Sequence, residues 1–259
     1  MANDYFQFRQ FLIRQDRCAM KVSTDAALLG AWARAGSADR VGGRILDIGT
    51  GTGVVALMMA QRYPESQVTA VEIDADGAAQ ARENVLSSPF SDRVTVVHAD
   101  IIGWEPSERL GGSLFDAIVC NPPYFSVNPS RSAPSEERRR QARQQSSLDH
   151  TALVRESCRL LGPGGTLSVV FPTSGYARLC GLAVMAGLRV VRCCHVSTVA
   201  GKSPKRTLIE FTNHTDSQSR CAVSTVFLQS PEGSRSSWYS ALTKSFYLPQ
   251  PLQNSPHHD

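Results

Sequence analysis

Four consecutive residues near the middle of the chain, Asn121-Pro122-Pro123-Tyr124, combine a carboxamide, two conformationally fixed backbone units and a flat aromatic ring. Two prolines remove two backbone donors and hold the chain extended, so the carbonyls point outward instead of entering a ladder. Asn121 adds a side-chain carbonyl acceptor, and Tyr124 adds a π face. This set suits a planar nitrogen whose lone pair is conjugated, as in a nucleobase amino group or a side-chain amide. Hydrogen bonds donated by that NH₂ to the Asn121 side-chain oxygen and the Pro122 carbonyl would localise the lone pair for reaction, while Tyr124 stacks on the planar acceptor. Asn121, Pro122 and Tyr124 are therefore the candidate catalytic residues.

A second feature lies upstream. Asp47-Ile48-Gly49-Thr50-Gly51-Thr52-Gly53 joins an apolar run to a helical pattern, and glycines there let the backbone take positive φ and let a ligand approach the main chain. Aligned on Gly49 and Gly51, the third position of the dinucleotide fingerprint G-x-G-x-x-G/A is Val54, so that fingerprint fails. Two further acids end strand-like runs: Glu72 in Val71-Glu72-Ile73-Asp74, and Asp100 in His98-Ala99-Asp100. One acid at a strand end is often just a helix cap or loop residue. Three, at the ends of successive strands, converge on the crevice where open α/β sheets bind ligands. His98 reads as a satisfied loop histidine, and without His or Cys at metal-ligand spacing no metal is expected.

These residues need a frame, and short β-branched runs alternating with helical patterns supply one. Strands are expected at 44–48, 67–72, 94–97, 115–120 and 166–171, and helices at 53–62, 76–86 and 148–161. That alternation predicts βαβ units and a mostly parallel sheet with helices on both faces. Runs at 188–199 and 206–211, joined by a basic turn, predict an antiparallel hairpin at a sheet edge, with 223–228 as a further short strand. The expected fold is a Rossmann-like α/β domain with a mostly parallel seven-stranded sheet and an antiparallel edge hairpin. It divides into a helical and aromatic N-terminal cap (1–40), a main domain (41–248) and a disordered Pro-rich tail (249–259). Within the main domain, 126–147 reads as a flexible basic loop.

Composition narrows the class. The 259 residues are 42% hydrophobic, enough for a sizeable core. No apolar run approaches the ~18 residues of a membrane span, and the polar N-terminus lacks an apolar leader core. The seven cysteines form no C-x-x-C pair, so neither a disulfide framework nor a zinc ribbon is indicated. A cytoplasmic protein that needs no membrane and no obligate protein partner is expected. The net charge of +4 is only mildly basic, but its distribution says more. Aromatics and cations interleave over the first 17 residues, partly as core anchors. The stretch 131–143 holds five Arg against two Glu. Arg131, Arg138, Arg139, Arg140 and Arg143, with Lys202, Lys205 and Arg206 in the edge hairpin, are the candidate contacts to an anionic polymer.

The Asp-led G-x-G-x-G spacing is typical of Rossmann-like class I methyltransferases that use S-adenosylmethionine, and Asn121–Tyr124 resembles the N-P-P-Y/F class that methylates amino nitrogens. A narrower match begins at Asp16-Arg17-Cys18-Ala19-Met20-Lys21-Val22-Ser23-Thr24-Asp25 and continues through Leu28-Leu29-Gly30-Ala31-Trp32. With Gln141-Ala142-Arg143, Leu148-Asp149-His150 and Ala241 to Leu248, this block is similar to the bacterial tRNA1(Val) (adenine-37-N6)-methyltransferase family. The resemblance runs from about residue 6 to 248. It departs from the family pattern in the Arg-rich loop and in the tail.

The resemblance implies methyl transfer from S-adenosylmethionine to adenosine N6 in tRNA. Asp47 would face the cofactor's cationic end, Glu72 its ribose hydroxyls and Asp100 its adenine amino group. Gly49, Gly51 and Gly53 would line it, with Asn121 beside them. It also places the first helix over the cleft, with Lys21 and Thr24 near the amino-acid end. Glutamine N5 on a protein, or N6-adenine or N2-guanine in another nucleic acid, are the alternative acceptors. An adenine must leave its stack to reach Asn121, which costs least in a single-stranded loop.

Overall fold

The computed structural model describes residues 3–18, 20–35, 43–107, 114–122, 149–214 and 220–249. Two short strands, β1 (Tyr5–Gln7) and β2 (Leu12–Arg14), pair antiparallel and precede α1 (Thr24–Trp32). Then come β3 (Arg44–Ile48), α2 (Val54–Arg62), β4 (Gln67–Glu72), α3 (Ala75–Leu86), β5 (Val94–His98) and β6 (Phe115–Cys120). The second half holds α4 (His150–Leu160), β7 (Leu161–Pro172), α5 (Tyr176–Met185), β8 (Arg189–Val199), β9 (Arg206–Thr212), β10 (Ala222–Gln229) and α6 (Ser237–Thr243).

The main sheet has eight strands in the order β10-β8-β9-β7-β6-β3-β4-β5. The five strands from β7 to β5 pair parallel, as the alternating pattern requires. β9 then runs antiparallel to both β7 and β8, which is the expected hairpin. The eighth strand is the 223–228 run, lengthened to Ala222–Gln229, and it pairs parallel to β8 at the sheet edge. Three features were not anticipated: the β1–β2 pair, helix α5, and the start of β7 at Leu161. The stretch Gly162-Pro163-Gly164-Gly165 does not simply follow α4 as a loop. It bulges out where the register jumps from Phe115 opposite Leu161 to Ala117 opposite Thr166, and glycine tolerates such a kink.

Helices cover both faces of the sheet and divide the core in two. On one side α2 lies under α1, and Val54 to Ala60 are all buried. Phe8, Phe11, Ile13 and Phe246 join the same cluster, so the N-terminal segment shares its core with the main sheet. On the other side Leu153, Val154, Leu179 and Ala183 of α4 and α5 pack on Leu46, Ile118, Leu167 and Ile209. Caps set the helix starts. Ser23, Asp74, Asp149 and Ser236 each accept a backbone N–H with the side chain, a contact worth about 1 kcal/mol.

Candidate active site

Parallel register brings the chemistry-bearing residues to one level. Ile48 lies opposite both Cys120 and Val71, and Glu72 lies opposite His98. Gly49, Asn121, Glu72 and the turn to Asp100 therefore leave the sheet side by side at its carboxyl edge. Asn121 is half-buried and Pro122 buried. Pro123 and Tyr124, and the loop arginines Arg131, Arg138, Arg139, Arg140 and Arg143, lie outside the described residues, as does the tail from residue 250.

The glycine loop is held by hydrogen bonds from behind and from the side. Gly49, Gly51 and Gly53 take φ of 69°, 55° and 82°. Gly49 and Thr50 donate to the Val71 carbonyl at 2.9 and 3.1 Å. A Cβ on Gly49 or Gly51 would meet nothing within 4 Å, so the main chain faces open space there. Asp47, in β3 just before the loop, is largely covered. It is 1% exposed, and its Oδ2 accepts from the Thr50 hydroxyl at 2.6 Å and the Ala56 N–H at 3.1 Å. This carboxylate braces the loop and the first turn of α2. Burial pushes its carboxyl up to about 7, although both hydrogen bonds favour the charged form.

Glu72 sits at the side of the loop, 9% exposed. Its Oε2 accepts from Gly51 N–H at 2.8 Å and its Oε1 from Asp74 N–H at 2.9 Å. Asp100 is exposed, and its Oδ1 accepts from Ile102 N–H at 2.9 Å. Cys18 comes close to the same acids. Its thiol is pushed up to about 12, first by burial and then by the charges of Glu72 and Asp74, so it stays protonated.

The N-terminal segment is strapped to the site by two amides that the sequence reading did not single out. Asn84, 1% exposed, accepts from Arg14 N–H and donates to the Arg14 and Thr52 carbonyls, all at 2.9 Å. It ties β2 directly to the glycine loop. One turn earlier Gln80, fully buried, accepts from Arg17 N–H at 3.0 Å. The signal was there: two amides at i and i+4 on the Ala-rich inner face of α3.

Of the remaining candidates, Thr24 is the first residue of α1. Lys21 donates to the Asn3 carbonyl at 3.1 Å and pairs with Asp4 at 3.6 Å. Lys202 and Lys205 are exposed in the β8–β9 turn. Arg206 differs from them, because its guanidinium sits 2.6 Å from Asp25 of α1. It fastens α1 to the sheet. Among the described residues no group of three His, Cys, Asp or Glu side chains could hold a metal ion. None of the helices formed by those residues is long and apolar enough to cross a membrane.

Residues 33–180 match the methyltransferase small domain family. Over 248 residues the chain is 42% identical to a tRNA1(Val) (adenine(37)-N6)-methyltransferase of Phocaeicola vulgatus, covering 96% of this chain and 99% of that one. A protein of the same name from Citrobacter koseri is 38% identical over 244 residues, 94% of each chain. Among solved structures, a predicted O-methyltransferase from Agrobacterium tumefaciens shares the fold with a TM-score of 0.61 at 21% identity, covering 86% of this chain and 96% of that one.

Proposed function

The chain belongs to the tRNA1(Val) (adenine(37)-N6)-methyltransferases within the methyltransferase small domain family, and on that premise we propose that it methylates the exocyclic N6 of adenosine 37 in tRNA1(Val), using S-adenosylmethionine. One observation carries the reading: Asn121 and Pro122 leave β6 at the level where the glycine loop leaves β3.

The cofactor's chemistry fits the residues present. The loop main chain at Gly49 and Gly51 is open to close approach, and the side chains around it, Glu72 and Asp100, are acceptors. A nucleoside with donating hydroxyls and an amino group, attached to a cationic sulfonium, matches an acceptor-rich crevice. Glu72 would hold the ribose hydroxyls and Asp100 the adenine amino group, with Lys21 and Thr24 toward the amino-acid end. When bound, S-adenosylmethionine supplies an electrophilic methyl group.

The chain's own residues orient the acceptor. The Asn121 carboxamide oxygen and the Pro122 carbonyl accept the two N–H bonds of the adenine amino group, and Tyr124 stacks on the base. Fixing that nitrogen in place is worth up to ~7–11 kcal/mol in favourable cases. The two oxygens also stabilise the positive charge that develops on nitrogen. The Arg-rich segment 131–143, with Lys202 and Lys205, supplies cations to the RNA backbone.

The test is methyl transfer from labelled S-adenosylmethionine to tRNA, rRNA, duplex DNA and a release factor in parallel, followed by nucleoside analysis. N6-methyladenosine in tRNA is the expected product. Label confined to protein glutamine would overturn the acceptor assignment.

A further inference from the structure

The carboxyl edge of the sheet carries a second concavity. Because β9 runs antiparallel to β7 and β8, with Pro172 opposite Arg206, the β8–β9 turn projects from the same edge as Asn121. β10 runs parallel to β8 and ends there too. Between this turn and β10 lies a cleft of about 460 Å³ lined by Ser197, Lys202, Ser203, Thr225 and Phe227, among others. At about 4.8 Å per strand, three steps separate β6 from β8 and four separate it from β10. The cleft is therefore roughly 14–19 Å from the line of β6.

Its wall and rim have distinct chemistry. Phe227 is 38% exposed, although it lies in a strand. Alternation explains why: Leu228 turns into the core, which leaves Phe227 and Thr225 on the opposite face. Register sets Ser197 beside Phe227. The rim carries Lys202, with the exposed Lys205 three residues on in the same turn, and among the described residues no acidic side chain lines the cleft. The turn is held in shape by three bonds. Ser197 donates its hydroxyl to the Lys202 carbonyl at 2.7 Å, Lys202 N–H reaches Val199 O at 3.2 Å, and Lys205 N–H reaches Val196 O at 3.1 Å.

We propose that this cleft is a second RNA subsite, which takes a nucleotide flanking the target adenosine, with its base on the Phe227 ring and its phosphates at Lys202 and Lys205. The proposal rests on the tRNA reading given above. A half-exposed aromatic beside cations, with hydroxyls between them, is the combination that binds single-stranded nucleic acid without strong sequence preference. The lateral offset from Asn121 suits a neighbouring nucleotide and not the target base itself. The subsite would hold the neighbouring strand in place while the target adenosine leaves its stack.

The test is steady-state methylation of tRNA by the full chain and its Phe227→Ala, Phe227→Trp and Lys202→Ala variants. Melting temperature and S-adenosylmethionine affinity are measured alongside. Phe227→Ala is expected to raise KM for tRNA about ten-fold, the scale of one lost base–aromatic stack, while kcat, melting temperature and cofactor affinity hold. Phe227→Trp should restore KM. Lys202→Ala should lower the dependence of log KM on log salt by about one phosphate contact. A KM for tRNA in Phe227→Ala equal to that of the parent, with tRNA methylation intact, overturns the subsite and leaves the function standing. A KM raised in Phe227→Ala but not restored by Phe227→Trp overturns stacking as its basis. If the parent protein fails to methylate tRNA at all, the underlying function has failed instead.

Discussion

Replacing Asp47 with asparagine should change how stability depends on pH, and the size of the effect follows from burial. The carboxyl is pushed from its ordinary 3.8 to about 7. Between those values the native protein keeps a proton that the unfolded chain has released. Stability contributed by the protonated group is thus fully present below about pH 4, falls as pH rises, and is lost once pH passes 7. The gap of about three units corresponds to ~4 kcal/mol in all, of which about 2–3 kcal/mol falls between pH 5 and pH 8. An asparagine carboxamide oxygen can accept from the same Thr50 hydroxyl and Ala56 N–H, but it does not titrate. Urea unfolding of both proteins at pH 5 and pH 8 isolates the effect, because every other ionisable group is common to the two. Relative to the parent, Asp47→Asn should gain about 2–3 kcal/mol from pH 5 to pH 8. A stability difference between the two proteins that stays the same at both pH values would refute the claim that Asp47 is a destabilised buried acid.

Asn121→Ala should bind S-adenosylmethionine as the parent does yet turn over at least ~10²-fold more slowly, the scale of losing one preorganised electrostatic contact. Single-turnover kinetics with tRNA measures it. Gly51→Ala places a methyl group in the open space before the loop, at a φ of 55°. Equilibrium titration should show weakened cofactor binding, with a fold cost of only ~1–2 kcal/mol for the left-handed residue. Arg206→Ala breaks the pair with Asp25 and should cost about 1–3 kcal/mol in urea unfolding, whereas Lys202→Ala should leave the midpoint unchanged. Asn84→Ala removes three hydrogen bonds of 2.9 Å and should cost about 3 kcal/mol. Hydrogen exchange should then report earlier opening of β2 and the glycine loop.

The parallel half of the sheet was legible in the sequence because its central strands are largely buried and read as short, mainly apolar runs such as Arg44–Ile48 and Phe115–Cys120. Strands at the periphery were not. β1 and β2 are three residues each, too short for a period-2 signal, and the aromatics in and around β1 were as compatible with a cap as with a core. The glycine loop and the N-P-P-Y turn were visible because backbone freedom and rigidity are written into residue type. Direction was not written there. Asp47, Glu72 and Asp100 look alike in sequence, and only the packing of α2 over the first strand end turns Asp47 inward while Asp100 stays in solvent. Likewise Lys202, Lys205 and Arg206 form one basic run. Only the approach of α1 pairs the last of them with Asp25.

The same packing explains why a glycine loop at a strand end need not be a phosphate site. In a diphosphate-binding loop the amide hydrogens are left free to point at the anion. Here Gly51 N–H is already donated to Glu72, and Gly49 and Thr50 N–H are donated to the Val71 carbonyl. A phosphate would have to displace a carboxylate from Gly51 and then sit beside its charge, which costs on both counts. The loop instead offers open main chain at Gly49 and Gly51, whose amides are already donated, with the acceptors Glu72 and Asp100 at the neighbouring strand ends. That polarity selects ligands that bring their own donors and positive charge, and it comes from which partner holds each amide rather than from the number of glycines. The missing third glycine at Val54 and the occupied amide at Gly51 therefore express one property. Both fit the proposed packing of a nucleoside against the loop better than the cradling of an anion there.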